Sequence, residues 1–181
     1  PQDEAVGAIS SAATMVLPGP YTHPIQGSLV RNVWPGVAAE TGLRAVDWSK
    51  MAIRGLPSAL HDVYVDAFGA QADASQLTEE LGAAWAISDG YHKLFACCQY
   101  GHATIEATCR LLEQVPADRI ESIHLETHKK AWIMDNPDPA TTIAAKFSIQ
   151  HIAATAAIHG GGSAEAFSSA SLQHPAVAAL R

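Results

Sequence analysis

The chain has 181 residues, of which 48% are hydrophobic and only 16% are charged, a composition typical of a globular protein with few surface charges. A net charge of −7, with the 11 lysines and arginines scattered along the chain, argues against a nucleic-acid-binding surface. No apolar run is long enough to span a membrane, and three cysteines do not make a disulfide framework. We therefore predict a protein of a reducing compartment, the cytoplasm, with no membrane or nucleic-acid partner.

Two Ala-rich helices are predicted in the first part of the chain. The first covers residues 3–17, because acidic residues at its start suit the helix dipole and a Pro-Gly-Pro sequence stops it. A long loop that contains Arg31 and Trp34 follows, and the second helix covers residues 36–54. Since alanine and glycine allow helices to approach closely, we expect both helices to lie in a packed all-helical layer.

The character of the chain changes after a polar spacer, where Ser75 is predicted to cap a short helix that extends to about residue 84. We place a domain boundary between residues 70 and 88. Residues 92–97 are predicted as a short strand and residues 102–114 as a helix.

A second strand is predicted at residues 120–128, where apolar and polar side chains alternate. This strand-helix-strand order indicates a small α+β unit, so the predicted fold class is α+β and mostly helical. A long helix is predicted over residues 141–159, terminated by glycines 160–162, and two short helices over 163–170 and 174–180 complete the chain.

One short stretch concentrates groups that could carry chemistry. Residues 91–105, YHKLFACCQYGHATI, hold Lys93, the adjacent Cys97 and Cys98, and His102 just before a helix. The two cysteines lack the CxxC spacing of redox and zinc motifs, so we interpret them as structural thiols. From the residues alone, two interpretations of this stretch are equally open: these residues form a catalytic site, or they occur together by chance.

Two further patterns contain histidine. In the long helix, His151 shares one stripe with apolar residues spaced three or four positions apart, so its ring points to the buried face. A core histidine and a histidine that lines a cavity both fit this pattern. In the second strand, His124, Glu126 and His128 fall on one face, but HLETH lacks the spacing of the HExxH zinc motif, and we predict a solvated face without metal.

Three motifs in order resemble the MmgE/PrpD family, which includes 2-methylcitrate dehydratase, cis-aconitate decarboxylase and an iminodisuccinate epimerase. They are GSLVRNVWPGVAAETG at 27–42, KLFACCQYGHATIEA at 93–107 and AKFSIQHIAATAAIHGG at 145–161. The resemblance implies a fragment of a longer protein in which residues 1–75 belong to an all-helical domain and residues 76–181 to an incomplete α+β lid domain. It also implies a homodimer, no metal and no organic cofactor.

The resemblance implies site residues one by one. Lys93 matches an active-site lysine of the family, His102 matches a histidine that is common in the family, and Arg31 stands where a lysine is common. Trp34 and Cys98 replace histidines of the decarboxylases, and His151 replaces a tyrosine. The implied activity is a 2-methylcitrate dehydratase-like lyase that removes a proton beside a carboxylate of a small di- or tricarboxylate.

In that activity His102, Lys93 and His151 are the expected catalytic residues, and Arg31 and Lys93 are expected to bind the substrate carboxylates. An epimerase, isomerase or decarboxylase of the same family and a non-catalytic binding or assembly module are the alternatives. We expect the isolated chain to be inactive.

Overall fold

A computed structural model describes residues 1–15 and 19–181, so the predicted end of the first helix lies outside the described residues. Helices contain 59% of the described residues, which confirms the prediction of a mostly helical chain. The α-helices are α1 (Gln2–Met15), α2 (Thr22–Ile25), α3 (Trp34–Lys50), α4 (Ala59–His61), α5 (His102–Leu112), α6 (Lys129–Trp132), α7 (Thr142–Ala145), α8 (Ile149–His159), α9 (Ser169–Leu172) and α10 (Pro175–Leu180). Short 3₁₀ helices cover Leu29–Asn32, Ala74–Leu77, Ala86–Asp89, Gln99–Gly101, Ala117–Arg119 and Glu165–Phe167, and a π-helix covers Asp62–Ala67.

Two compact units make up the chain. Unit 1 comprises Pro1–Gly19 and Asn32–Gly90, and unit 2 comprises Pro20–Arg31 and Tyr91–Arg181. The loop that contains Arg31 therefore clusters with the C-terminal unit. The family domain boundary expected after residue 75 stays a prediction.

In unit 1, α1 packs along α3, as the small side chains of both helices predict. Buried serines join the segments: the Ser49 hydroxyl donates to the Glu4 carbonyl, and the Gly55 amide donates to the Ser11 hydroxyl, each at 2.8 Å. Farther along, the cap predicted at Ser75 is wrong. Asp73 caps the 3₁₀ helix Ala74–Leu77 instead, because its carboxylate accepts a hydrogen bond from the Ser75 amide.

The core of unit 2 surrounds α8. Ile105 of α5, Met134, Ile152 of α8 and Phe167 are all at most 1% exposed. Burial of each such side chain stabilises the fold by roughly 1.5–3 kcal/mol. Close approach of the start of α5 to α8 requires Gly101, because a Cβ at this position would lie 2.6 Å from the Cδ1 of Ile152.

The helix predicted over residues 141–159 is divided into α7 and α8. Ser148 explains the break, since its hydroxyl accepts a hydrogen bond from the His151 amide and thereby starts a new helix. The apolar stripe continues across the break, so the periodicity alone indicated one helix. The predicted end is confirmed: Gly160 has a φ of 70°, the left-handed conformation that glycine adopts at helix C-termini.

The two predicted strands are not formed among the described residues. Residues 94–97 form bends, in which the Ala96 amide donates to the Gly162 carbonyl and the Cys98 amide to the Lys146 carbonyl. Within the described chain, residues 121–127 make no backbone–backbone hydrogen bond. A strand needs a hydrogen-bonded neighbour, so these residues are not in a sheet although Ile123 and Leu125 face inward as predicted.

Within residues 1–15 and 19–181, no helix is both long enough and apolar enough to cross a bilayer.

Candidate functional site

The stretch that leads into α5 is fixed at several points within unit 2. Its backbone hydrogen bonds run to Gly162, just after α8, at 2.8 Å and to Lys146, just after α7, at 2.9 Å. Because these partners belong to separate segments, the bends at residues 94–97 are held by tertiary contacts. Lys93 and His102 therefore lie at the two ends of a fixed loop.

Lys93 lies at the surface. Its side chain is exposed, and its Nζ donates to the carbonyl oxygen of Cys97 at 3.5 Å, the outer limit of a hydrogen bond. Such a weak contact leaves the ammonium group able to pair with an anion.

His102 is the first residue of α5 and is half-buried. Its ring contacts Phe95 edge-on, with 5.2 Å between the ring centroids. Its Nε2 is buried and has no hydrogen-bond partner among the described residues. Since buried polar atoms in proteins are nearly always paired, this nitrogen is a candidate for contact with a ligand.

His151 is completely buried in α8, so the prediction that its ring faces the interior is confirmed. The ring lies 6.0 Å from that of Phe167, and neither nitrogen has a hydrogen-bond partner of normal geometry in the described chain. Burial, and next the nearby Arg181 guanidinium, lower the pKa of His151 to about 4. The imidazole is therefore neutral near pH 7.

The four candidate residues all belong to unit 2, but they do not converge on one point. Arg31 is exposed in the 3₁₀ helix Leu29–Asn32. Among the described residues, no hydrogen bond, ion pair or ring contact joins Arg31, Lys93, His102 and His151 to one another. The two histidines lie on helices that pack together, and their neighbours Gly101 and Ile152 face each other across that contact.

Cys98 is part of a cluster that the sequence did not reveal. Its Sγ lies 3.3 Å from the hydroxyl of Tyr21, and Tyr21 also packs edge-on against Phe147 and Tyr100. Burial, with the contact to Cys98 adding, raises the pKa of the Tyr21 phenol. Lys130 lies over the Tyr100 ring with its Nζ 5.6 Å from the centroid. The thiol is thus packed and hydrogen-bonded.

A serine–histidine pair was also missed. The Oγ of Ser171 lies 3.0 Å from His159 Nε2 and 3.2 Å from Thr155 Oγ1. Thr155 gives its only hydroxyl proton to the Ala166 carbonyl, so Ser171 must donate to Thr155 and accept from His159. A histidine that donates to the serine cannot be its base, so the pair is structural in this arrangement.

Metal-ligand spacing occurs once in the part of the chain that the structure describes. His61, Asp62 and Asp66 offer ligand atoms within 4.8 Å of one another, but all three are exposed. The ligand-type residues of HLETH behave as the solvated face that was predicted. The His124 and Glu126 side chains are 87% and 90% exposed and lie 3.5 Å apart.

A known protein family matches the part of the chain that contains α5 and α8, the helices of His102 and His151. Residues 95–181 match the model of the MmgE/PrpD C-terminal domain. The match begins two residues after Lys93 and includes both α5 and α8. No curated protein matches the chain. The matched segment is just under half of the chain, and the match is consistent with a fragment of an MmgE/PrpD family protein.

Proposed function

We propose that the chain is part of a lyase of the MmgE/PrpD type. The proposed reaction is a 2-methylcitrate dehydratase-like removal of water from a small di- or tricarboxylate. One observation carries this proposal: the family match spans the two packed helices that hold His102 and His151. Members of this family are generally lyases or related enzymes.

The substrate carboxylates are assigned to Lys93 and Arg31. Both side chains are exposed, and within the described part of the chain the Lys93 ammonium is held only by its 3.5 Å contact to the Cys97 carbonyl. A lysine can pair with a carboxylate as a point charge, and an arginine can bind one through two parallel hydrogen bonds. Two cations hold a polycarboxylate in one orientation, which places its acidic C–H against the base.

Proton transfer is assigned to His102 and His151. The base takes the proton from the carbon beside a carboxylate, the C–O bond to the hydroxyl breaks, and the hydroxyl leaves as water after it receives a proton. Acid–base help of this kind contributes about 10²–10⁴-fold in rate. Geometry supports His102 more directly, because it is half-buried with an unpaired Nε2, whereas His151 is completely buried.

Two observations favour a non-catalytic binding module as the second candidate. Cys98 stands where the decarboxylases have a histidine, and its thiol is buried against Tyr21. His151 is neutral but closed off from solvent. A protein with these features could bind a polycarboxylate without turning it over. An epimerase or isomerase would need the same cations and a base on each face of the substrate.

A turnover screen of the full-length protein separates these functions. The panel consists of hydroxy-di- and tricarboxylates in deuterated water, analysed by NMR. The proposed lyase forms an unsaturated product and water. Deuterium in recovered substrate without net elimination indicates an epimerase or isomerase, and binding without either change indicates the binding module. The isolated 181-residue chain is expected to show little or no turnover.

A further inference from the structure

Two histidines lie side by side at the surface of unit 2. The ring centroids of His159 and His174 are 5.8 Å apart, and the ring planes meet at 73°. His159 is the last residue of α8, and His174 directly precedes α10. Both residues are exposed, so a dissolved ion can reach both rings.

A chain of hydrogen bonds fixes the His159 ring and its tautomer. Nε2 of His159 donates to the Ser171 hydroxyl at 3.0 Å, Ser171 donates to Thr155 at 3.2 Å, and Thr155 donates to the Ala166 carbonyl at 2.8 Å. Ser171 and Thr155 are at most 3% exposed, so water does not compete for these bonds. Because the neutral ring carries its one proton on Nε2, its lone pair is on Nδ1. Metal-binding histidines are commonly oriented by a hydrogen bond from the other ring nitrogen.

The spacing of the two rings suits one shared metal ion. Metal–nitrogen bonds of about 2.0–2.1 Å place the centroids of two imidazoles on one ion about 4.5–6 Å apart. The observed 5.8 Å lies within this range. Among the described residues, no hydrogen bond occupies Nδ1 of His159 or either ring nitrogen of His174. The C-terminal end of α8, where His159 lies, also carries partial negative charge that favours a cation.

We propose that His159 and His174 form a binding site for a divalent transition-metal ion, which bonds to Nδ1 of His159 and to one ring nitrogen of His174. Imidazole suits Zn²⁺, Cu²⁺ and Ni²⁺, whereas Mg²⁺ and Ca²⁺ prefer oxygen ligands. Within the described chain, no carboxylate or cysteine completes the pair into a group of three ligands, so water fills the remaining positions. The ion joins the end of α8 to the start of α10. Neither histidine is assigned a role in the lyase reaction, so the proposal does not depend on that activity.

Titration of the 181-residue chain with Ni²⁺ at about pH 7.5, where an ordinary imidazole is mostly neutral, tests the proposal. Ni²⁺ is paramagnetic and broadens the NMR signals of the histidine rings to which it binds. We expect the ring signals of His159 and His174 to broaden together, at a lower Ni²⁺ concentration than that of the exposed His92. An excess of Mg²⁺ should not reverse this broadening, because Mg²⁺ prefers oxygen ligands.

Single substitutions distinguish one shared ion from two independent rings. With one of its two protein ligands lost in His174→Ala, the ion should bind at His159 about tenfold more weakly or worse, and His159→Ala should have the same effect at His174. The matched control, His92→Ala, should leave both signals as in the wild type. All three substituted residues are exposed, so the variants keep the core of the fold. A dissociation constant above about 1 mM for Ni²⁺ at the pair would overturn the proposal. Unchanged broadening of the His159 signal in His174→Ala would also overturn it, because the two rings would then bind separately.

Discussion

The hydroxyl of Tyr21 lies 3.3 Å from the Sγ of Cys98, a contact between residues 77 positions apart in the chain. Two other contacts support it: Asn136 donates to the Ile25 carbonyl, and Thr141 to the Gly27 carbonyl, each at 3.2 Å. These bonds explain why Pro20–Arg31 belongs to the same unit as residues 95–181, the segment that matches the MmgE/PrpD C-terminal domain. They place Arg31 in the unit that holds His102.

Tyr21→Phe should destabilise unit 2 while it keeps the aromatic packing. The variant removes only the hydroxyl that meets Cys98, so we expect the free energy of unfolding to fall by about 0.5–1.5 kcal/mol. Urea denaturation followed by the fluorescence of Trp132 measures this change, in a background in which the tryptophans at positions 34, 48 and 85 are replaced by phenylalanine. Tyr64→Phe, at an exposed position of unit 1, is the control and should leave the same transition unchanged.

The three cysteines should differ in reactivity. Cys97 and Cys98 are buried, and burial raises the pKa of Cys97 to about 12, so little thiolate forms at that residue. Cys109 is half-buried and should react first with a disulfide reagent at pH 8 in the native protein. Mass spectrometry of the modified peptides determines the order in which the three cysteines react. If Cys109→Ser left the fast phase in place, this assignment would be wrong.

Stability should fall in acid because of His151. The pKa of His151 is about 4 in the folded chain, whereas the ordinary value is 6.5. Between these two pH values, the unfolded chain binds a proton at His151 and the folded chain does not. The stabilisation by the neutral His151 ring is therefore fully present above pH 6.5. As the pH falls toward 4, the free energy of unfolding decreases by up to roughly 3 kcal/mol. His151→Leu should flatten this part of the pH–stability curve.

The matched control is His124→Ala, because His124 is 87% exposed. Its curve should follow that of the wild type between pH 4 and 6.5. An unchanged slope in His151→Leu would contradict the account of the buried ring.

Ser148→Ala should destabilise the start of α8. The Ser148 hydroxyl accepts from the His151 amide at 2.9 Å and donates to the Asn136 carbonyl at 2.6 Å, and the residue is completely buried. Loss of a cap that also satisfies a buried carbonyl should cost about 1–3 kcal/mol. Thermal unfolding compares this variant with Ser163→Ala, an exposed serine for which we expect no change.

Local patterns predicted the helices that carry the histidines. The helix that begins at His102 and the burial of His151 both followed from apolar periodicity, and Gly160 ended α8 as its conformational freedom suggests. These features depend on residues within a few positions of each other.

Features that depend on distant segments could not be predicted. Residues 120–128 alternate as a strand does, but a strand also needs a hydrogen-bonded neighbour, which the pattern cannot supply. The contact of Tyr21 with Cys98 and the burial of Arg181 likewise arise only when separate segments meet. Ser148 is a residue type that often caps helices, but the apolar stripe continues on both sides of it. The periodicity therefore predicted one helix where the structure has two.

The central claim is that His102 takes part in proton transfer on a small polycarboxylate. Turnover of the substrate found in the screen, measured for His102→Ala in the full-length protein, tests it most directly, with the exposed His124→Ala as the control. We predict that His102→Ala lowers kcat by at least about tenfold, within the range that acid–base catalysis supplies, and that the control does not. Near-normal kcat in a correctly folded His102→Ala protein would contradict the claim.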